Sequence, residues 1–200
     1  VALLSHFNHF YSNIELVVVE HDYEPRFNMH DMFQGTNKLI YHYEYCHSHH
    51  FHKTRMLNMA ADRATRKFMA FFDADCVCPI ENIGEGLHLL NRGFTMVLPY
   101  VHFIRVYGHK SHEYRCNPWN MDILKNMRWW ENHEAHQERA AWEMTGGIHM
   151  FKRDTFYEFG KYNERFVTWG YEDDEAVYRF NKLGAWKYGM GSIMSFNRGY

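Results

Sequence analysis

The run Phe68-Met69-Ala70-Phe71-Phe72 is apolar throughout and stops abruptly at Asp73-Ala74-Asp75. A short bulky run of this kind reads as a buried strand, with the two carboxylates just past its C-terminal end. Other segments follow the same plan. Asn13 to Glu20 (Asn-Ile-Glu-Leu-Val-Val-Val-Glu) is β-branched and continuous, as a strand covered on both faces would be. Lys38 to Tyr43 is a shorter strand candidate, and Thr95 to Leu98 is another, stopped by Pro99. Helical spacings lie between them. Val1 to Tyr11 reads as the tail of a helix, and Thr54 to Lys67 carries Met56, Leu57, Ala60, Ala61 and Ala64. Ile80 to Asn91 places Leu87 and Leu90 on a core face, with Gly93 ending the helix. Strands alternating with helices predict an α/β fold, a mostly parallel sheet with helices on both faces. Asp73-Ala74-Asp75 then ends a central strand, where open α/β sheets receive their ligands.

Residues 101 to 143 break the rhythm with a polar and aromatic stretch containing Trp119, Trp129, Trp130 and Trp142. Beyond it, Asp154 to Phe159 reads as a short helix and Glu172 to Leu183 as a longer one, capped by Gly184. A parallel nucleotide-binding sheet normally opens with a strand whose following loop receives the base. This chain opens on what reads as the helix after that strand, so the first βα unit is expected to be missing. Either the sequence is a fragment or the base pocket is built differently.

Composition narrows the classes. Hydrophobic content of 46% and aromatic content of 18% over 200 residues exclude a disordered chain and suffice for one domain with a real core. Lys and Arg number 22 against 24 acids, a formal charge of -2, which gives no electrostatic case for nucleic-acid binding. Apolar runs such as Phe68 to Phe72 fall far short of the ~20 residues that a membrane span requires. The opening residues do not read as a signal peptide. Cys46, Cys76, Cys78 and Cys116 are too few for a disulfide scaffold, and Cys76-Val77-Cys78 is too tight for the usual zinc spacing. They are expected to be free thiols. The run His47-Ser48-His49-His50-Phe51-His52 has no second cluster at ligand spacing and is expected to be a solvated loop.

Two places carry chemistry. Paired carboxylates such as Asp73 and Asp75 hold hard divalent ions against phosphate, and a separate carboxylate can take a proton from an attacking hydroxyl. Asp75, one step further out, is the better direct ligand, with Asp73 acting through water or on the ribose. The second place is Phe166-Val167-Thr168-Trp169-Gly170-Tyr171-Glu172-Asp173-Asp174, an aromatic platform and a Gly turn leading into three acids. Acids at a helix start are also favoured by the macrodipole alone, each by ~0.3–1 kcal/mol. Gly146-Gly147 ahead of Ile148-His149-Met150-Phe151 either marks a turn or lets backbone approach a sugar, because no Cβ intervenes.

The order of these motifs resembles the β-1,4-galactosyltransferases. Phe51-His52-Lys53-Thr54-Arg55-Met56-Leu57-Asn58 is similar to their Phe-x-Arg-Ala-Lys-Leu-Leu-Asn stretch, and Asp73-Ala74-Asp75 to their Asp-Val-Asp. Gly146-Gly147 matches the Gly-Gly ahead of their donor-sugar strand. Trp169-Gly170-Tyr171-Glu172-Asp173-Asp174-Glu175 resembles Trp-Gly-Gly-Glu-Asp-Asp-Asp. The similarity runs from about Ile14 to Arg198. It extends to bacterial chondroitin-type polymerases and the wider GT-A glycosyltransferase superfamily.

The resemblance implies a single GT-A-like domain over residues 1–200, with the nucleotide and metal part in about 1–100 and the donor-sugar and acceptor part in about 101–200. It implies transfer of a sugar from a nucleoside-diphosphate donor, UDP-hexose or UDP-N-acetylhexosamine, to a hydroxyl acceptor with inversion. Phe51, Lys53 and Asp73 would contact the nucleotide. Asp75, Asp73 and Asn197 would hold Mn²⁺ or Mg²⁺. Trp169, Glu172, Asp174, Gly146 and Gly147 would face the sugars, and Asp173 would be the base.

Departures from the family pattern are visible. Lys53 stands for Arg, so a bidentate phosphate grip becomes a point charge. Tyr171 stands for the second Gly, which narrows the sugar pocket. Asn197 in Met194-Ser195-Phe196-Asn197 stands where a His ligand is expected. The alternatives are a retaining transferase, against which Asp173 argues, and a truncated or degenerate module that holds nucleotide or glycan without turnover. The expected compartment is the cytoplasm, with membrane-peripheral attachment as its variant.

Overall fold

The computed structural model describes residues 2–28, 33, 37–47, 50–100, 106, 108–118, 120, 122, 145–168, 170–188 and 192–194. In chain order, helix α1 (Ala2–Phe10) precedes β1 (Glu15–Asp22), β2 (Lys38–Tyr45), α2 (Lys53–Arg63) and β3 (Phe68–Phe72). Then follow α3 (Ile80–Arg92), β4 (Met96–Leu98), α4 (Gly108–Cys116) and β5 (Ile148–Lys152). Helices α5 (Arg153–Glu158) and α6 (Glu172–Tyr188) lead to β6 (Ser192–Met194). The mixed α/β architecture expected from the alternation is present.

The strands form two ladders. β1 and β2 pair in parallel, from Glu15 opposite Lys38 to Asp22 opposite Tyr45. The other ladder runs β3-β5-β4-β6, with β4 and β6 parallel and β5 antiparallel to both β3 and β4. β3 and β4 therefore point the same way, and β5 returns between them from far along the chain. This placement corrects the expectation of a central β3, which lies at the edge of its ladder among the described residues.

The core explains the local geometry. Leu90, Met96, Val97, Phe151, Phe156, Ala176 and Phe180 have essentially no exposure. Each buried Phe contributes roughly 1.5–3 kcal/mol by leaving water. In α6, Glu172, Ala176, Phe180 and Gly184 are all buried and recur every fourth residue. The stripe that anchors Phe180 also carries Glu172 inward. Gly184, expected as the cap, is thus an interior member of this stripe, and the helix continues to Tyr188. Gly93 does end α3, with φ 112 and its N–H directed to carbonyls of the last turn.

A second cluster joins α1 to β1 through Leu4, Phe7 and Leu16, and Phe72 packs edge-on against Phe7 at 4.9 Å. Only Leu16 of β1 is buried, so this strand is half-covered rather than enclosed on both faces. Most residues of β1 and β2 are half-buried. Among the described residues, no helix is long and apolar enough to cross a membrane.

Candidate active site

Three elements converge on one ammonium. Lys53 opens α2, Asp73 follows β3, and Glu172 and Asp173 open α6. Lys53 Nζ lies 2.9 Å from Asp173 Oδ2, 3.3 Å from Asp73 Oδ1 and 3.3 Å from Glu172 Oε1. The Lys53 side chain is 12% exposed and that of Glu172 2%. Burial alone would lower the Lys53 pKa, but the carboxylates outweigh it, Asp173 and Asp73 most, and the net shift is upward. Asp73 is shifted upward by burial, opposed by Lys53 and reinforced by Asp173.

The backbone makes this meeting possible. Asp73 N–H donates to Gly147 O at 2.8 Å, extending the β3–β5 ladder to the glycine pair. A Cβ on Gly146 would stand 2.8 Å from Asp173 Oδ2, closer than real Cβ contacts allow. Gly146 therefore leaves the space that Asp173 fills, and Gly147 supplies a φ of 99. Before α6 the chain turns sharply, with positive φ at Thr168, Gly170 and Tyr171. Gly170 N–H donates to Glu172 Oε2 at 2.8 Å, so Glu172 bridges its own turn and Lys53. Tyr171 is 79% exposed at φ 65, a conformation glycine adopts with less strain.

Helix α2 docks the segment that leads into this turn. Thr54 Oγ1 donates to Phe166 O at 3.2 Å. Asn58 Nδ2 donates to Tyr162 O at 2.9 Å and Glu164 Oε1 at 2.8 Å, while Tyr162 N–H donates to Asn58 Oδ1 at 3.0 Å. Under Asp173 sits the buried imidazole of His149, with Nδ1 3.9 Å from Asp173 Oδ1 and 2.6 Å from the Tyr162 hydroxyl. His149 Nε2 contacts Thr145 O. A carbonyl only accepts, so Nε2 carries the proton and Nδ1 accepts from Tyr162. Burial lowers the His149 pKa, keeping the ring neutral. Burial raises the phenol pKa of Tyr100, whose hydroxyl donates to Gly146 O, and of Tyr162, with Asp173 adding to both.

Lys53, Asp73, Glu172, Asp173 and Gly146 are thus brought together, with Gly147 in the adjoining ladder. Asp174 is exposed on the flank of α6, where its Oδ1 accepts from Thr145 Oγ1. Asp75 is exposed, with its Oδ1 3.8 Å from Cys76 Sγ, and does not join the Lys53 cluster. Phe51 is 54% exposed, its ring 5.9 Å from that of His21. Trp169 and Asn197 lie outside the described residues. The cysteines are free thiols, and burial beside Asp73 pushes Cys76 up to about 12.

The sequence reading missed His149, Tyr162, Tyr100, Thr54 and Asn58 as parts of the site. A signal existed for some. Thr54, Asn58 and Ala61 share the buried face of α2, and His149 interrupts an apolar strand.

As donors for Mn²⁺ or Mg²⁺, the carboxylates of Asp73 and Asp75 have the right hardness and share one turn. Among the described residues, however, no group of three or more His, Cys, Asp or Glu side chains is arranged to hold an ion. The carboxylates that do converge close around Lys53.

The sequence profile of the family described as glycosyltransferase like family 2 matches residues 2–190. No curated protein and no solved structure shows significant similarity to the chain.

Proposed function

The chain belongs to glycosyltransferase like family 2, and from that premise we propose that it transfers a sugar from a nucleoside-diphosphate sugar to an acceptor hydroxyl with inversion. The observation that carries this reading is the meeting of Asp73, Glu172 and Asp173 within 3.3 Å of the Lys53 ammonium. A general base must be held in place and kept from bulk water, and Asp173 is, at 15% exposure. The acceptor oxygen attacks the anomeric carbon from the face opposite the diphosphate. Its proton goes to Asp173, the bond from that carbon to the diphosphate oxygen breaks, and the nucleoside diphosphate leaves with the electron pair. Glu172, fixed by the Gly170 N–H through Oε2, would turn Oε1 to sugar hydroxyls once Lys53 leaves it for the phosphates. Lys53 would meet the phosphates, and Phe51, exposed two residues before it, would contact the nucleotide.

Charge supports a divalent cofactor. Three carboxylates against one ammonium (-3 + 1) leave the cluster at -2, which repels a diphosphate. Asp73 and Asp75 would hold Mn²⁺ or Mg²⁺. The ion would offset charge on the leaving diphosphate. By family resemblance the donor is UDP-galactose or a UDP-N-acetylhexosamine.

The test is a screen of UDP-sugars with Mn²⁺ and oligosaccharide acceptors, following UDP release and the anomeric configuration of the product by NMR. Inverted product from one donor supports the reading, whereas retained configuration sinks it. For the metal, Asp75→Asn should abolish Mn²⁺-dependent UDP binding in calorimetry. Unchanged affinity removes Asp75 as a ligand.

A further inference from the structure

The Lys53 ammonium donates to Asp173 Oδ2 at 2.9 Å and lies 3.3 Å from both Asp73 Oδ1 and Glu172 Oε1, three carboxylates on three different residues. Asp73 is shared between two demands. It is the acid of the strand end that Lys53 holds, and it is also the neighbour of Asp75, which is exposed and outside the cluster. Asp173 is shared likewise, since the carboxylate proposed to take a proton has Lys53 at 2.9 Å. A lysine is suited to a movable role. Its charge sits on a flexible four-carbon stem, whereas an arginine fork would be fixed by its geometry.

We infer that Lys53 is the resident cation of the donor-free site: it occupies Asp73 in place of a divalent ion and covers Asp173 until a diphosphate draws the ammonium away. The inference rests on the transfer reading above. Among the described residues, a divalent ion arriving alone meets an Asp73 oxygen already occupied by Lys53 and an exposed Asp75, a poor set of ligands. When a diphosphate arrives, its oxygens offer Lys53 a new partner. Asp73 is then released toward Asp75, and Asp173 loses its cation. Metal and nucleotide therefore enter together, and the base is uncovered only when a donor is present.

Mn²⁺ binding, read by the loss of the free-ion electron paramagnetic resonance signal, tests this without any turnover. The wild-type chain should take up Mn²⁺ weakly alone and about tenfold or more tightly with UDP. Lys53→Met should bind Mn²⁺ alone about tenfold or more tightly than wild type, and Lys53→Arg, which keeps the charge, should not. The gain should vanish in Asp73→Asn/Lys53→Met, which localises the ion and separates it from the many histidines. Equal Mn²⁺ affinity in wild type and Lys53→Met overturns the inference. Should Lys53→Met fold only with Mn²⁺, as judged by circular dichroism, the ion has replaced the lysine and the inference stands. Should it fold in neither condition, wild type decides, and Mn²⁺ uptake indifferent to UDP overturns the inference. A wild-type chain that binds no UDP in any condition counts against the transfer reading. The comparison of Mn²⁺ alone across the chains still decides the role of Lys53.

Discussion

Around β3, β5 and the start of α6, the buried ammonium of Lys53 meets three carboxylates, whereas along β1 and β2 histidine nitrogens go unanswered. Among the described residues, His21 Nδ1 and His42 Nε2 are buried without a hydrogen-bond partner, and His42 Nε2 lies 3.6 Å from Glu44 Oε2. The two regions differ in what they bury. The four-stranded ladder is packed by α5 and α6, so a charge there is desolvated and must be paired. The two-stranded ladder stays half-covered, and an imidazole nitrogen lacking a bond costs far less than a lone charge. Buried charge is held in fixed geometry in both regions, as Glu15 of β1 shows with Lys38 at 2.7 Å, whereas imidazole nitrogens are tolerated without a bond.

Breaking the paired region at its chemical centre gives the largest expected effect. Asp173→Asn should lower turnover by ~10²–10⁴-fold with UDP affinity nearly unchanged, measured in any donor assay that proves active. Near-normal turnover would remove Asp173 as the base. Next is the packing that holds the region together. Phe180→Ala should cost ~3–5 kcal/mol in urea unfolding, while Val18→Ala on half-covered β1 should cost a fraction of that. Equal costs would erase the contrast between the two regions.

Gly146→Ala sharpens the comparison further. Its Cβ would push on Asp173 Oδ2, and a displacement of that size should reduce turnover by roughly a hundredfold with little change in stability. Full activity would show that Asp173 has room to spare.

The smallest effect is on pH dependence. Burial holds the pKa of both His6 and His149 below 6.5 in the folded chain. Protons then bind the unfolded chain preferentially, so stability is complete above about pH 6.5 and falls as pH drops through the folded values. The slope is about 1.4 kcal/mol per pH unit for each proton taken up on unfolding. His149→Gln should flatten that fall in thermal melts between pH 7 and 5. An unchanged slope would assign the effect to His6 and other groups.

The sequence by itself determined the strand Phe68–Phe72, the helix ended by Gly93 and the identity of the acids at two element ends. Those features depend on local patterns: an apolar run, a helical spacing and a glycine able to adopt positive φ. It also sufficed to mark Lys53, Asp73, Glu172 and Asp173 as candidates. The place of β5 between β3 and β4 was not legible, because antiparallel insertion from nearly eighty residues away leaves no local trace. Gly184 looked like a cap, because a glycine reads the same whether it ends a helix or admits close packing. The environment of Asp173 was equally hidden. Gly146 makes its space, His149 lies beneath it and Lys53 covers it, and the segment of Gly146 and His149, Lys53 and Asp173 itself come from three separate parts of the chain. Only tertiary structure decided that three carboxylates share one ammonium, since Coulomb attraction in a buried site depends on distances that packing alone sets.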